Sequence, residues 1–199
     1  NITGPNVELS NINRGDWLVS PQQDLLTDRV DVRLRLLPGE KNALKHWTPV
    51  HIHAGSGSTT ARVALLEDKA LAPAGSALAQ LVLDHPGMMV YGDNFVIRDQ
   101  SAQRTLGGGY VIDPEGLKRG RSKPSRIELL QKLDTDDGQA ALEALLNHDP
   151  NGVDLDYFAK SRNLTEVESQ KLFNAVTIVL LRNRLAIAEK RWQITQELI

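Results

Sequence analysis

The sequence predicts a chain in two parts, a small antiparallel β-barrel followed by a winged-helix domain of helices and a short hairpin. In VDVRLRL, residues 30–36, apolar side chains alternate with charged ones, the period of a strand with one buried face. Several short segments of this kind follow, bounded by Gly, Pro, Asn, Asp or Ser, with no helical pattern between them. After Gly116 the apolar spacing becomes that of amphipathic helices, so the fold class changes there from β to α with some β.

The barrel is expected to occupy residues 24–115. Closure of the sheet would remove the exposed edges that short strands otherwise present to solvent. Within it, Gly107, Gly108 and Gly109 are expected to let neighbouring backbones approach closely, rather than to form a nucleotide-binding loop. The further strands are expected at 50–53, 61–67, 77–84, 94–99 and 110–113.

The winged-helix domain is expected to occupy residues 127–199, and a basic linker, residues 116–126, precedes it. Apolar residues spaced by three and four predict two helices at its start. The turn-forming stretch HDPNG, residues 148–152, must end the second of these helices.

Later in this domain a capping box, formed by Thr165 and Glu168, predicts the start of a helix that continues toward Leu181. Two short β-like runs, Leu185–Ala188 and Trp192–Thr195, are separated by a polar pair and predict a hairpin. Helices followed by a small hairpin are typical of a winged helix. The last residues are interpreted as the truncated start of a further helix.

Composition restricts the classes of function. The net charge is −2, and neither half of the chain has the positive excess of a module that binds nucleic acid tightly by itself. Cys is absent, which excludes disulfides and thiolate metal sites. No apolar run reaches 18 residues and no secretory signal begins the chain, so a cytoplasmic protein without membrane contact is expected. Because the chain begins at Asn1, it is interpreted as a fragment of a longer protein.

Two histidines, His51 and His53, raise the possibility of a metal site, because on a strand they share one face with Ile52 opposite. A metal site needs a third or fourth ligand, and the spacing of the other histidines resembles no zinc pattern. We therefore predict no metal. The glycine-serine stretch after them is no phosphate loop, because no helix follows and no Gly-Lys pair occurs in the chain. The other histidines are His46, His85 and His148.

A local basic segment lies in the linker, in LKRGRSKPSR, residues 117–126. Two interpretations stay open for it: a solvated connection, or a strip that contacts the phosphates of a nucleic acid backbone. The candidate phosphate-contacting residues are Lys118, Arg119, Arg121 and Lys123.

Four stretches of the predicted barrel, taken in order, carry a resemblance to a known family. They are HIHAGSGSTTARVALLE (51–67), ALAQLVLDHP (77–86), GDNFVIRDQS (92–101) and RTLGGGYVIDP (104–114). Together they resemble the third domain of the bacterial selenocysteine-specific elongation factor (SelB), a translational GTPase whose barrels are similar to domains two and three of elongation factor Tu. INRGDWLV, residues 12–19, looks like the last strands of the family's second barrel, so residues 1–20 are interpreted as its C-terminal remnant.

The resemblance implies a role in translation. The family delivers selenocysteinyl-tRNA to the ribosome at UGA codons, with GTP and Mg²⁺ bound by an N-terminal domain that this chain is expected to lack. It grips a hairpin in the messenger RNA through distal winged helices, also expected to be absent here. The chain should therefore be a monomeric, non-enzymatic middle section without a cofactor of its own, whose barrel contacts tRNA and whose winged helix carries the distal reader.

A-form RNA is recognised mainly through phosphates and 2′-hydroxyls, so a barrel face needs a few placed donors rather than a large charge. For each arginine among the candidates, a structural ion pair or a solvated side chain is at least as good an interpretation as an RNA contact. If the histidines contact phosphate, acidification should strengthen tRNA binding. The candidates are His51, His53, Arg62, Arg98 and Arg104.

Two other classes of protein remain as alternatives. One is a DNA-binding regulator with a winged helix and a barrel sensor, but the helix opened by Thr165 offers Glu166 and Glu168 close to its start, a poor set for approaching phosphates. The other is a barrel fragment of another translational GTPase, against which the winged-helix continuation argues.

Overall fold

The computed structural model describes Asp16, Val19 and residues 25–181 and 184–197, of which 194–197 are described by their backbone. The predicted remnant of a preceding barrel, residues 1–20, lies outside the described residues apart from two of its positions.

A closed antiparallel barrel forms the first part of the chain, as predicted. Its strands lie in the order β1-β6-β4-β3-β7-β8, and β2 pairs with β5 as a separate ribbon. The strands are β1 (Leu26–Leu36), β2 (Leu44–Lys45), β3 (Thr48–Ala54), β4 (Gly57–Leu65), β5 (Ala70–Leu71), β6 (Ser76–Met88), β7 (Asn94–Arg98) and β8 (Thr105–Asp113).

The barrel is filled by the apolar side chains that the alternation assigned to its interior. In β1, Val30, Val32 and Leu34 are fully buried and Leu36 nearly so. Burial of each such side chain contributes roughly 1.5–3 kcal/mol to folding. The interior is therefore the main source of stability in this part of the chain.

The three glycines of β8 are required by close backbone approaches, as predicted. A Cβ at Gly107 would clash with the backbone of Arg35, and one at Gly109 with the carbonyl oxygen of Arg33. At Gly108 a Cβ would lie 2.5 Å from the carbonyl oxygen of Phe95 in β7. No side chain fits at these positions without moving a neighbouring strand.

The second part is helical and contains a small sheet in the order β10-β11-β9. The capping box of Thr165 and Glu168 is present, and the side chains of Asp137 and Asp154 cap two other helices. The elements are α1 (Pro124–Leu133), α2 (Gly138–His148), β9 (Val153–Asp154), α3 (Leu155–Ser161), α4 (Glu166–Ala175), β10 (Ile178–Leu180), β11 (Leu185–Ala188) and α5 (Glu189–Glu197).

The position of the hairpin was predicted wrongly. Helix α4 ends at Ala175 and does not continue to Leu181, because the β-branched run after it favours a strand, β10. The hairpin partner of β11 is this strand. The segment predicted as its second arm, Trp192–Thr195, lies in α5, which begins with the good helix formers Glu189 and Lys190.

The helical part packs on the outside of the barrel wall. A second apolar cluster joins Leu66, Leu78 and Ile112, which project outward from the barrel region, to Leu130 of α1 and Leu142 of α2. The barrel interior forms a separate cluster. Among the described helices none is long and apolar enough to cross a membrane.

Candidate nucleic-acid interface

The first candidate surface is the outer side of β3 and its neighbours β4 and β7, which we call the open face. Ile52 points into the barrel, while His51 and His53 lie partly exposed on the outside, as predicted. His51 stands opposite Thr60 on β4 and Arg98 on β7. The antiparallel register thus places two histidines and one of the candidate arginines on one patch.

Hydrogen bonds to the turn between β7 and β8 orient this patch. His51 Nε2 lies 3.1 Å from the carbonyl oxygen of Gln100, which requires an N–H at that nitrogen. The guanidinium of Arg98 donates to the carbonyl oxygen of Gln103 over 3.1 Å. Both partners are neutral, so neither contact compensates a positive charge on the ring or the guanidinium. The Nε2 of His53 is buried without a hydrogen-bond partner among the described residues.

Arg62 on β4 is exposed on the same outer surface, opposite Pro49 on β3 and Val82 on β6. In the described part of the chain it has no hydrogen bond or ion pair. The nearby hydroxyl of Thr60 donates to the Asp84 carboxylate, so one acidic group borders the patch. Arg62 is the candidate cation whose charge is least compensated.

Arg104 differs from the other candidates because its charge is paired. It bonds the Glu40 carboxylate at 2.9 Å, and its Nε lies 4.0 Å from Asp99. The backbone N–H groups of Arg104 and Gln103 lower the pKa of Asp99 by donating to its carboxylate. For Arg104 the ion-pair alternative describes the contacts, and the residue organises the β7–β8 turn.

The second candidate surface lies before α1, and we call it the basic strip. It consists of Lys118, Arg119, Arg121 and Lys123. Lys118 lies 4.0 Å from the Asp28 carboxylate, and Arg119 is exposed without a described partner. The Arg121 guanidinium lies 5.3 Å from the ring centre of Trp47. Lys123 is the residue before α1, and Lys118, Arg121 and Lys123 line an open depression of about 470 Å³.

Arg126, the last basic residue of the predicted linker segment, is not part of that surface. It lies in the first turn of α1, where its side chain is 7% exposed and donates to Asp31 at 2.6 Å and to Asp113 at 2.7 Å. Gln80 donates to the same Asp31 carboxylate at 2.8 Å. Burial raises the pKa of Asp31, and the attraction of Arg126 opposes part of that rise.

This buried network was missed by sequence reasoning. Asp31 was correctly assigned to the outside of the barrel, but the outside is covered there by α1. The available signal was Gln80, a single amide within the apolar run ALAQLVLD, since a buried amide needs a partner. Next to the network, a cleft of about 610 Å³ lies between the barrel and α1–α3. No group of three or more histidine and carboxylate side chains among the described residues could hold a metal ion.

Comparison with known proteins gives matches along most of the chain. The sequence model described as "Selenocysteine-specific elongation factor, beta-barrel domain" matches residues 27–118. The chain is 37% identical over 165 residues to the selenocysteine-specific elongation factor of Escherichia coli (strain K12), covering 82% of this chain and 24% of that protein. It is 32% identical over 173 residues to that of Desulfomicrobium baculatum, covering 87% of this chain and 27% of that protein.

A solved structure agrees in fold. The crystal structure of bacterial selenocysteine-specific elongation factor EF-Sec superposes with a TM-score of 0.68 at 18% identity, over 98% of this chain and 29% of that one. The chain thus spans about a quarter of the length of the curated relatives it matches.

Proposed function

The chain belongs to the selenocysteine-specific elongation factor family, and from that premise we propose that its barrel binds selenocysteinyl-tRNA through the open face. The observation that carries the proposal is the grouping of His51, His53 and Arg98 beside the exposed Arg62. Within the described part of the chain, none of these four side chains forms an ion pair with a carboxylate, whereas Arg104 does. Donors of this kind suit the phosphates and 2′-hydroxyls of an A-form stem.

The other parts of the proposal concern the rest of the factor. The basic strip contacts phosphates beside the stem, and the helical part carries the distal domains that hold a hairpin of the messenger RNA. GTP and Mg²⁺ are held by an N-terminal domain of the complete factor, which works on the ribosome in the cytoplasm. The chain by itself hydrolyses no nucleotide; release of phosphate from GTP by the purified chain would contradict this.

Filter binding tests the RNA proposal. The chain is titrated with selenocysteine tRNA, with an elongator tRNA and with duplex DNA over a salt series. We expect the selenocysteine tRNA to bind most tightly, and Arg62→Ala to reduce the slope of log affinity against log salt by about 1, the effect of one lost phosphate contact. The control is Lys132→Ala, which removes an exposed charge on α1 that is paired with Glu128. Preference for duplex DNA would refute the proposal.

The histidines are tested by substitution. If the rings of His51 and His53 contact the RNA backbone, the double variant His51→Ala, His53→Ala should bind selenocysteine tRNA less tightly than the wild type in the same assay, with Lys132→Ala again as the control. An affinity equal to that of the wild type removes both residues from the tRNA site.

A further inference from the structure

Trp47, just before β3, has an unusual position for a tryptophan. Trp47 is 40% exposed, and Tyr110 is the only other aromatic residue in the described part of the chain with a similar exposure. The hydroxyl of Tyr110 bonds Asp134, whereas no hydrogen bond engages the Trp47 side chain in the described part of the molecule. Core packing therefore does not account for Trp47.

The backbone of Trp47 adds a second observation. Its φ is +70°, in the left-handed region that bulky residues rarely adopt. Its N–H donates to the carbonyl oxygen of Val63 at 2.6 Å, which holds the ring at the end of the barrel. Strained backbone that the surroundings maintain is concentrated at functional sites. A tryptophan held in this way at the surface is a candidate for ligand contact.

The surroundings of the ring indicate the ligand. The Arg121 guanidinium lies 5.3 Å from the ring centre, and the His46 ring lies 6.0 Å away with its plane within 27° of the indole. Arg121 belongs to the basic strip, and the exposed cations Arg119 and Lys123 lie two positions before and after it in the same loop. An exposed aromatic ring beside arginine and lysine is the arrangement on which proteins stack the bases of single-stranded nucleic acid.

We propose that Trp47 and Arg121 form a stacking site for an unpaired RNA base, with Arg119 and Lys123 contacting the adjacent phosphates. The base must be unpaired, because a base within a duplex has no free face. The choice of RNA rests on the proposed function, which already includes the basic strip; Trp47 is the residue that the stacking site adds, and none of its residues belongs to the open face. The indole adds a flat surface for stacking, which phosphate contacts by cations do not supply.

The test is fluorescence anisotropy with labelled 12-nucleotide oligo(A) and with a 12-base-pair RNA duplex, using the 199-residue chain. Trp47→Asn removes the ring while keeping a residue that tolerates positive φ. We expect it to weaken oligo(A) binding by about 5- to 100-fold, the effect of losing one stacked base. Trp47→Phe should retain most of the affinity. Lys132→Ala is the control for general loss of charge and should leave oligo(A) binding unchanged.

Two further variants complete the design. Arg121→Gln removes the cation from the ring without changing the strained backbone, and it should weaken oligo(A) binding several-fold even if Trp47→Asn proves unstable. Arg62→Ala should weaken duplex binding and leave oligo(A) binding unchanged, so the stacking site and the open face can fail separately. Absence of oligo(A) binding, equal binding by wild type and the Arg121→Gln variant, or an equal loss in Lys132→Ala would overturn the stacking site.

Discussion

The barrel has two outer faces that arise from the same alternation of residues but differ in solvent exposure: helix α1 covers one, and the other is open to solvent. On the covered face, where α1 packs, the outward side chains of Asp31 and Gln80 are fully buried, and the Asp31 carboxylate accepts hydrogen bonds from both Gln80 and Arg126. On the open face, the outward side chains of His51 and Arg62 remain partly or fully exposed. An outward charged side chain therefore becomes structural when another element covers it, and it stays available for a ligand when no element does.

The energetics of the two faces should differ accordingly. Removing a charge from water costs several kcal/mol, which only good geometry and full hydrogen bonding offset. On the covered face Arg126 bonds two carboxylates, one fully buried and one 15% exposed. An exposed side chain of the open face such as Arg62 stays hydrated, so its charge needs no protein partner to offset a desolvation cost.

The largest effect is expected from Arg126→Ala, which leaves the Asp31 carboxylate buried without its cation. We expect the free energy of unfolding to fall by about 3–5 kcal/mol, measured by urea denaturation at neutral pH. The matched control on the same helix is Lys132→Ala, which breaks an exposed pair with Glu128 and should leave the free energy of unfolding close to that of the wild type. Similar losses in the two variants would show that the covered face is not energetically distinct.

A smaller loss is expected from Asp134→Ala at the border of the covered face. This carboxylate accepts from the Arg33 guanidinium at 2.6 Å and from the Tyr110 hydroxyl at 2.9 Å. Both partners keep access to water, so we expect a loss of about 1–2 kcal/mol in the free energy of unfolding. A loss as large as that of Arg126→Ala would mean that the border is as dry as the centre.

Alkaline pH tests the contact between the barrel and the helical part through Tyr91, whose hydroxyl donates to Asp136 between α1 and α2. Burial, and then the hydrogen bond to Asp136, raise the pKa of Tyr91 to about 12 from the usual 10. The folded state therefore favours the neutral phenol, so its contribution to stability is complete below pH 10 and is lost as the pH rises toward 12. Tyr91→Phe keeps the ring under Arg162, 3.7 Å away, and should make this loss shallower in unfolding experiments from pH 9 to pH 12. An unchanged slope would assign the alkaline loss to other tyrosines.

The smallest effect on folding is expected on the open face. Arg62→Ala should change the free energy of unfolding by less than about 0.5 kcal/mol, since the side chain is exposed and has no described partner. The same variant should weaken binding to duplex RNA. If it proved to destabilise the chain by more than about 1 kcal/mol in the urea experiment, Arg62 would belong with the structural charges of the covered face.

Much of the candidate site was predictable, because the local alternation of residues determines on which face of a strand each side chain lies. The alternation in VHIH placed His51 and His53 outward and Ile52 inward, and four ordered stretches carried the family resemblance. The pairing of Arg104 with Glu40 was beyond such reasoning, because the two are 64 residues apart and meet only after the barrel closes. For the same reason Trp47 was not recognised as a surface residue adjoining the basic strip.

The sequence by itself determined the strand pattern of the barrel, its inward and outward residues and the capping box of Thr165 and Glu168, because each depends on spacings of two or three residues along the chain. Only the tertiary structure decided that Arg126 is a buried partner of Asp31, 95 positions away, rather than one more cation of the linker. It also decided that the strand after α4, and not the segment after Ala188, pairs with β11. The physical reason is that periodicity tells which side of an element faces away from its own core, whereas solvent exposure depends on what packs against that side.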